Sequence, residues 1–238
     1  MLFRSHYLMD HVVGGGAYGK LPEMKGKANA NEPARPNGIY IPRFRNTPTS
    51  GKHSRFIRGY GFQGGAEMDF SFGAEGYGTQ FKNAVKEGAY RISLGGFGES
   101  LARWDNYVEI DKDLKDAWGI PALRISMTHG DNEAALMEDA AVTAAEMLEA
   151  TGAKDIHLQA NVEMPGMAIH ELGTARMGTD PKKSVLNTFN QAHDVKNVFV
   201  MDGASFVSSA CQNPTLSMMA ITVRACANLI DRFHKNDV

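Results

Sequence analysis

Three short blocks near the C-terminal end hold residues able to do chemistry. They are His-Glu-Leu-Gly-Thr-Ala-Arg-Met-Gly at 170–178, Asn-Val-Phe-Val-Met-Asp-Gly-Ala-Ser at 197–205, and Gln-Asn-Pro-Thr-Leu-Ser at 212–217. The imidazole of His170, with an unperturbed pKa near ~6.5, suits proton exchange at neutral pH. Asn213 is a good helix N-cap and Pro214 a good first helical residue, because proline lacks only an N–H that would be orphaned there. The N–H groups of Thr215 and Leu216 would then point outward from a positive helix end.

Other motifs match in letters and fail in context. The run 14–19, Gly-Gly-Gly-Ala-Tyr-Gly, has the dinucleotide spacing, but Pro22, Gly26 and Pro33 prevent the helix that would aim its N-terminus at a pyrophosphate. His170-Glu171 starts a zinc-protease pattern whose second histidine position is Thr174. Gly203-Ala204-Ser205 starts a hydrolase elbow, yet Val207 stands where the last glycine belongs. His6, His11, His53, His129, His157, His193 and His234 form no metal-ligand spacing, and no metal site is expected.

The elements that must position these residues follow from periodicity and punctuation. Residues 1–66 hold much of the glycine and proline and read as loops and short strands. Strands are expected at 54–62, 90–97, 107–110 and 122–127, an antiparallel sheet being their natural product. Residues 131–151 read as a helix with Leu136, Ala140, Ala144, Met147 and Leu148 on one stripe and Gly152 as its stop. The run 196–201 reads as a buried strand. Residues 213–233 read as a second long helix, with Leu216, Met219, Ala220, Val223, Ala227 and Ile230 on one buried face.

Composition removes whole classes. The 238 residues can bury a core without staples, and 43% hydrophobic with 22% charged residues excludes collagen-like, coiled-coil and low-complexity chains. No apolar run approaches the ~20 residues of a membrane-spanning helix. A net charge of −2 offers no general attraction for nucleic acid. Between residues 34 and 66 six cations (Arg35, Arg43, Arg45, Lys52, Arg55, Arg58) meet no acid; they are either a solvated face balanced elsewhere or a contact for an anionic ligand or partner subunit. Two cysteines, Cys211 and Cys226, rule out a disulfide framework. No secretory signal opens the chain, and localisation stays open.

The three blocks, in this order, resemble the C-terminal signature of the glucose-methanol-choline (GMC) family of FAD-dependent oxidoreductases. The likeness extends more weakly through 106–124 and the start of the 131–151 helix, back to Leu8-Met9-Asp10-His11. It implies FAD as cofactor and oxidation of a CH–OH group, with a sugar or polyol as substrate, hydride passing to the flavin and an unknown electron acceptor. It implies His170 as the catalytic base and Asn213 as a second catalytic group bonding the substrate oxygen. Asp202, Gly203, Asn213, Pro214 and Thr215 would contact the cofactor, Gly203 by allowing close backbone approach.

The family's N-terminal Rossmann half has no counterpart here, so the chain is expected to be a C-terminal portion. The expected class is α+β: an antiparallel-sheet substrate-binding region over 1–160, then a catalytic segment over 161–238 that completes an FAD-binding domain. Two alternatives stay open: a catalytically silent chain serving as a binding or assembly module, and a hydrolase using Ser205.

Overall fold

The computed structural model of the chain describes residues 4–24, 38–68, 76–86, 90–235 and 237. Arg35, Gly26 and Pro33 therefore lie outside the described residues. The elements run β1 (His11–Val12), β2 (Gly15–Lys20), β3 (Gly38–Ile41), β4 (Tyr60–Met68), α1 (Gly78–Lys86), β5 (Tyr90–Glu99), β6 (Tyr107–Lys115), β7 (Pro121–Ser126), α2 (Asp131–Ala150), β8 (Lys154–Ala160) and α3 (Thr215–His234). The class is α+β, as expected. No helix among the described residues is long and apolar enough to cross a membrane.

Contacts divide the chain into two units that interleave along the sequence. One takes Met1–Val12, Glu99–Gly130 and Met164–Val238; the other takes Val13–Gly98 and Asp131–Glu163. A single cut at residue 160 divides the chain by sequence, whereas the contacts divide it by discontinuous stretches.

The second unit is an antiparallel sheet in the order β3-β4-β5-β2-β8, crossed by α2. Leu136, Ala140, Ala144 and Leu148 of the expected stripe on α2 are fully buried, but Met147 is only half-buried, and Met137, outside that stripe, is fully buried in its stead. The helix sits close because its footing is glycine: a Cβ on Gly15 would lie 2.2 Å from the Met137 carbonyl oxygen. The run 14–19 that mimics a dinucleotide loop is thus β2, held between β5 and β8. α2 ends as its sequence dictates. Gly152 takes φ +84°, its N–H reaches the Glu149 carbonyl at 2.9 Å, and the Ala153 N–H reaches Leu148 at 3.2 Å, which together form a Schellman closure.

The basic stretch meets acids on the same helix. Arg45 donates to Asp139 (2.8 Å) and Thr143 (3.0 Å), and Arg55 to Glu138 (2.7 Å). For these two cations the balanced-face reading holds. The buried Tyr60 hydroxyl also donates to Asp139. Burial first, then that bond, pushes the Tyr60 phenol up to about 12. An unfolded tyrosine titrates near ~10, so this contribution to stability is complete below about pH 10 and is lost as pH rises toward about 12. Melting temperature followed from about pH 9 to about pH 11 should fall more steeply for the unsubstituted protein than for Tyr60→Phe. Parallel curves would show that the hydroxyl gives no such linkage.

The first unit carries the β6–β7 antiparallel ribbon, α3 and long irregular loops stitched by backbone hydrogen bonds. Val185, Leu186 and Ala192 form a small core with Ala175, Met177 and Val200 against it.

Two expectations fail here. Residues 196–201 are not a strand: Phe199 makes one isolated bridge to Gln191, and Val198 is exposed. A V-F-V run needs a straight neighbour to extend a ladder, and residues 187–192 are themselves a turn, closed by Asn187 and Gln191. The expected buried face of α3 is the exposed one. Leu216 is 77% and Val223 69% exposed, with Met219, Ala220, Ala227 and Ile230 also exposed, while Ala225 is the helix's one buried residue.

Candidate functional site

His170 projects from an irregular loop, and its position is set by the segment 8–11 rather than by a helix or strand. Met9 and Leu172 exchange two backbone hydrogen bonds, 2.9 and 2.8 Å. Between these strips lies the buried carboxylate of Asp10. Its Oδ1 accepts the backbone N–H of His170 at 3.0 Å and of His11 at 2.7 Å, and its Oδ2 accepts that of Ala168 at 3.2 Å. Inside this clasp Ile169 is held at φ +55°, a left-handed conformation that a β-branched residue avoids unless its surroundings enforce it. Gly173 at φ +96° permits the approach, since a Cβ there would lie 2.3 Å from the Tyr7 carbonyl oxygen.

The second block is brought alongside by a short backbone ladder. Gly173, Ala175 and Met177 donate to the carbonyls of Gly203 (3.1 Å), Ala204 (2.8 Å) and Ser205 (2.9 Å). The Asp202 carboxylate accepts from the Ala204 N–H at 2.8 Å and caps the 3-10 turn Gly203–Ser205. Ser205 is buried, and its hydroxyl donates to the Asp202 carbonyl at 2.9 Å, stapling the turn rather than facing a substrate. This weakens the hydrolase alternative, which needs an exposed, activated hydroxyl.

The third block enters at the start of α3. Pro214 occupies the N-cap position, with the Met218 N–H reaching its carbonyl at 2.9 Å and no side-chain cap. Asn213 is therefore not the cap and Pro214 not the first helical residue. The helix begins one position later than the sequence implies, because the proline carbonyl can accept the first intrahelical bond as readily as it could sit inside the turn.

His170, Glu171, Asp202, Gly203 and Thr215 line one cavity of about 360 Å³, closed on its apolar side by Leu8, Leu172 and Met218. Asn213 and Pro214 are not among its lining residues. The structure thus gathers four of the six expected site residues around one hollow and leaves the other two just outside it.

One neighbour of the site escaped the sequence reading. The His11 ring stands 4.9 Å from the His170 ring, nearly edge-on at 72°. Burial lowers its pKa first and the His170 charge adds to that, against Asp10 and the backbone carbonyls of Ala210 and Gln212, which raise it. Asp10, His11 and His170 each place one ligand atom within 4.8 Å of the others, the spread a single cation could bridge. The Asp10 oxygens already accept three backbone N–H groups, so the grouping has the chemistry of a clasp more than of a metal centre. No spacing rule could reveal it, since its two strips lie far apart in sequence.

Residues 102–222 match the GMC oxidoreductase family. The chain is 31% identical over 204 residues to the 2-methyl-1,2-propanediol dehydrogenase of Mycolicibacterium austroafricanum, covering 82% of this chain and 36% of that protein. It is 29% identical over 174 residues to the gluconate 2-dehydrogenase flavoprotein of Pantoea cypripedii, covering 69% of this chain and 28% of the relative. The fructose dehydrogenase large subunit of Gluconobacter japonicus is 27% identical over 146 residues, 60% of this chain and 26% of the relative. The chain therefore spans little more than a third of these relatives at most. In fold it is similar to an Aspergillus oryzae formate oxidase carrying the R554A mutation, with a TM-score of 0.59 at 13% identity over 99% of this chain and 48% of that one. On the family match over residues 102–222 and these relatives, the chain belongs to the GMC oxidoreductase family.

Proposed function

We propose that this chain is the portion of an FAD-dependent oxidoreductase that binds a CH–OH substrate, a sugar or polyol, and holds the base for its oxidation. The observation that carries the reading is the shared cavity: His170, Asp202, Gly203 and Thr215, drawn from all three blocks, line one hollow of about 360 Å³. The names of the relatives, a diol dehydrogenase, a gluconate dehydrogenase flavoprotein and a fructose dehydrogenase, support the substrate class.

The residues present fit a flavin. Gly203, buried beside Asp202, lets that wall close on the chain's own Leu172 and Met218, which a Cβ would meet at 2.5 and 2.8 Å. Thr215 brings the uncapped start of α3 to the same wall, where backbone N–H groups favour negative charge. Asp202, Gly203, Pro214, Thr215 and the Asn213 amide are the groups that would hold the cofactor. Held there, FAD would supply the hydride acceptor for the substrate carbon. His170 takes the hydroxyl proton, because general-base removal must accompany loss of hydride from an alcohol. Asn213, on the exposed turn before α3, orients the substrate oxygen. Leu8, Leu172 and Met218 give the cavity an apolar stretch of wall. Anaerobic mixing of a flavin-loaded longer protein with a panel of sugars, polyols and simple alcohols tests this; bleaching of the flavin by none of them would overturn it.

The alternative of a silent binding module has its own support, the fraction of the relatives' length that the chain spans. For residues 1–238 alone, weak or no FAD retention is the expected result of a flavin titration. Tight one-to-one binding, seen as yellow protein after gel filtration, would overturn that expectation.

A further inference from the structure

We propose that Asp10 and His11 are a positioning pair for His170: Asp10 fixes the backbone from which the imidazole projects, and the His11 ring confines that imidazole to one orientation. This rests on the reading of His170 as base and assigns work to two residues that the reading left unused.

The Asp10 carboxylate is fully buried, and its bonds to the N–H groups of Ala168 and His170 straddle the left-handed Ile169. Bonds to a charged acceptor are about twice as strong as neutral ones, which suits a carboxylate that must hold a strained turn closed. The backbone of His170 is thereby fixed, leaving only its two side-chain torsions. The His11 ring limits those. It is 1% exposed, so its ring has little room to move, and the backbone carbonyls of Ala210 and Gln212, in the turn before α3, are near enough to act on its charge. It meets His170 at 4.9 Å and 72°, the edge-to-face geometry that aromatic rings favour. Two imidazoles this close repel when both are charged. Burial disfavours the charged form of His11, which eases its standing beside a partner that takes up a proton. The groups facing His11 are Asp10 on its own segment, His170 from the loop, and the two carbonyls from the turn.

The test uses residues 1–238 with labelled histidine and needs no flavin. In the unsubstituted chain, NMR should show a cross-relaxation contact between the His11 and His170 rings and one set of His170 ring signals. Asp10→Asn keeps the shape but turns one acceptor into a donor that faces N–H groups; hydrogen exchange at Ala168 and His170 should accelerate about tenfold or more while α2 amides keep their protection. His11→Ala should broaden the His170 signals into an average of orientations, and His11→Phe, which keeps a flat ring, should restore one set. Absence of the ring contact in the unsubstituted chain overturns the proposal whether or not the variants fold. So does unchanged exchange in Asp10→Asn, or an ordered His170 ring in His11→Ala. If His170→Ala in a flavin-loaded protein leaves turnover intact while these NMR results hold, the base reading fails and the positioning geometry stands.

Discussion

Replacing His170 by alanine, in a longer protein that carries this chain together with bound FAD, should slow flavin reduction by alcohol about 100-fold or more and leave the flavin in place. The magnitude is that of losing a positioned general base. Retention is expected because the groups assigned to the cofactor are Asp202, Gly203 and Thr215 of the lining and not His170. Two carboxylates, Glu171 and Asp202, line the same hollow, but the Asp202 carboxylate is committed to the Ala204 N–H. Anaerobic stopped-flow at saturating alcohol reads the reduction step directly. Asn213→Ala should lower the same rate by about tenfold at most, the worth of the one substrate hydrogen bond assigned to it. Reduction at the unsubstituted rate in His170→Ala would remove the imidazole from the chemistry, and a drop of equal size in Asn213→Ala would make the two residues one functional unit.

Periodicity served best where a single element decides its own environment. α2 occupies Asp131–Ala150 against the expected 131–151, with its glycine stop as read and its buried stripe as read except that Met137 is buried in place of Met147. β5, β6 and β7 begin within a residue of the expected starts. β2 went unseen because Gly-Gly-Ala-Tyr-Gly-Lys has almost no side chains to alternate, and β8 because its residues are largely exposed. α1 has no acidic first turn and gave no start signal. The expected strand at 196–201 shows the converse: three apolar residues look like a strand until the neighbour proves to be a turn. At the site, the blocks named the cavity-lining His170, Asp202, Gly203 and Thr215, since each block keeps its chemistry local. The Asp10–His11 clasp was illegible because backbone-to-carboxylate bonds across about 160 positions leave no mark in either segment.

The exposed stripe of α3 carries the second large effect. Leu216, Met219 and Val223 stand in solvent, as does Phe233 at 71% exposure, on a helix whose sequence has the pattern of a core element. Such a contiguous apolar surface on a monomer drives association. On the proposed function its cover would be an FAD-binding half packed against α3. Residues 1–238 alone should therefore self-associate, with light scattering rising steeply with concentration. The triple variant Leu216→Gln, Met219→Gln, Val223→Gln should abolish that association and shift the melting temperature little, because surface substitutions stay within about 0.5 kcal/mol each. In the longer protein the same triple variant should lose most of its flavin. Each of these apolar side chains contributes about 1.5–3 kcal/mol when buried, so losing three together is comparable with the whole net stability of a small domain. The two arms separate the causes. A triple variant that melts as a core mutant does in residues 1–238 alone would mean the stripe is covered within this chain. One that keeps its flavin in the longer protein would mean that α3 faces something other than the FAD-binding half.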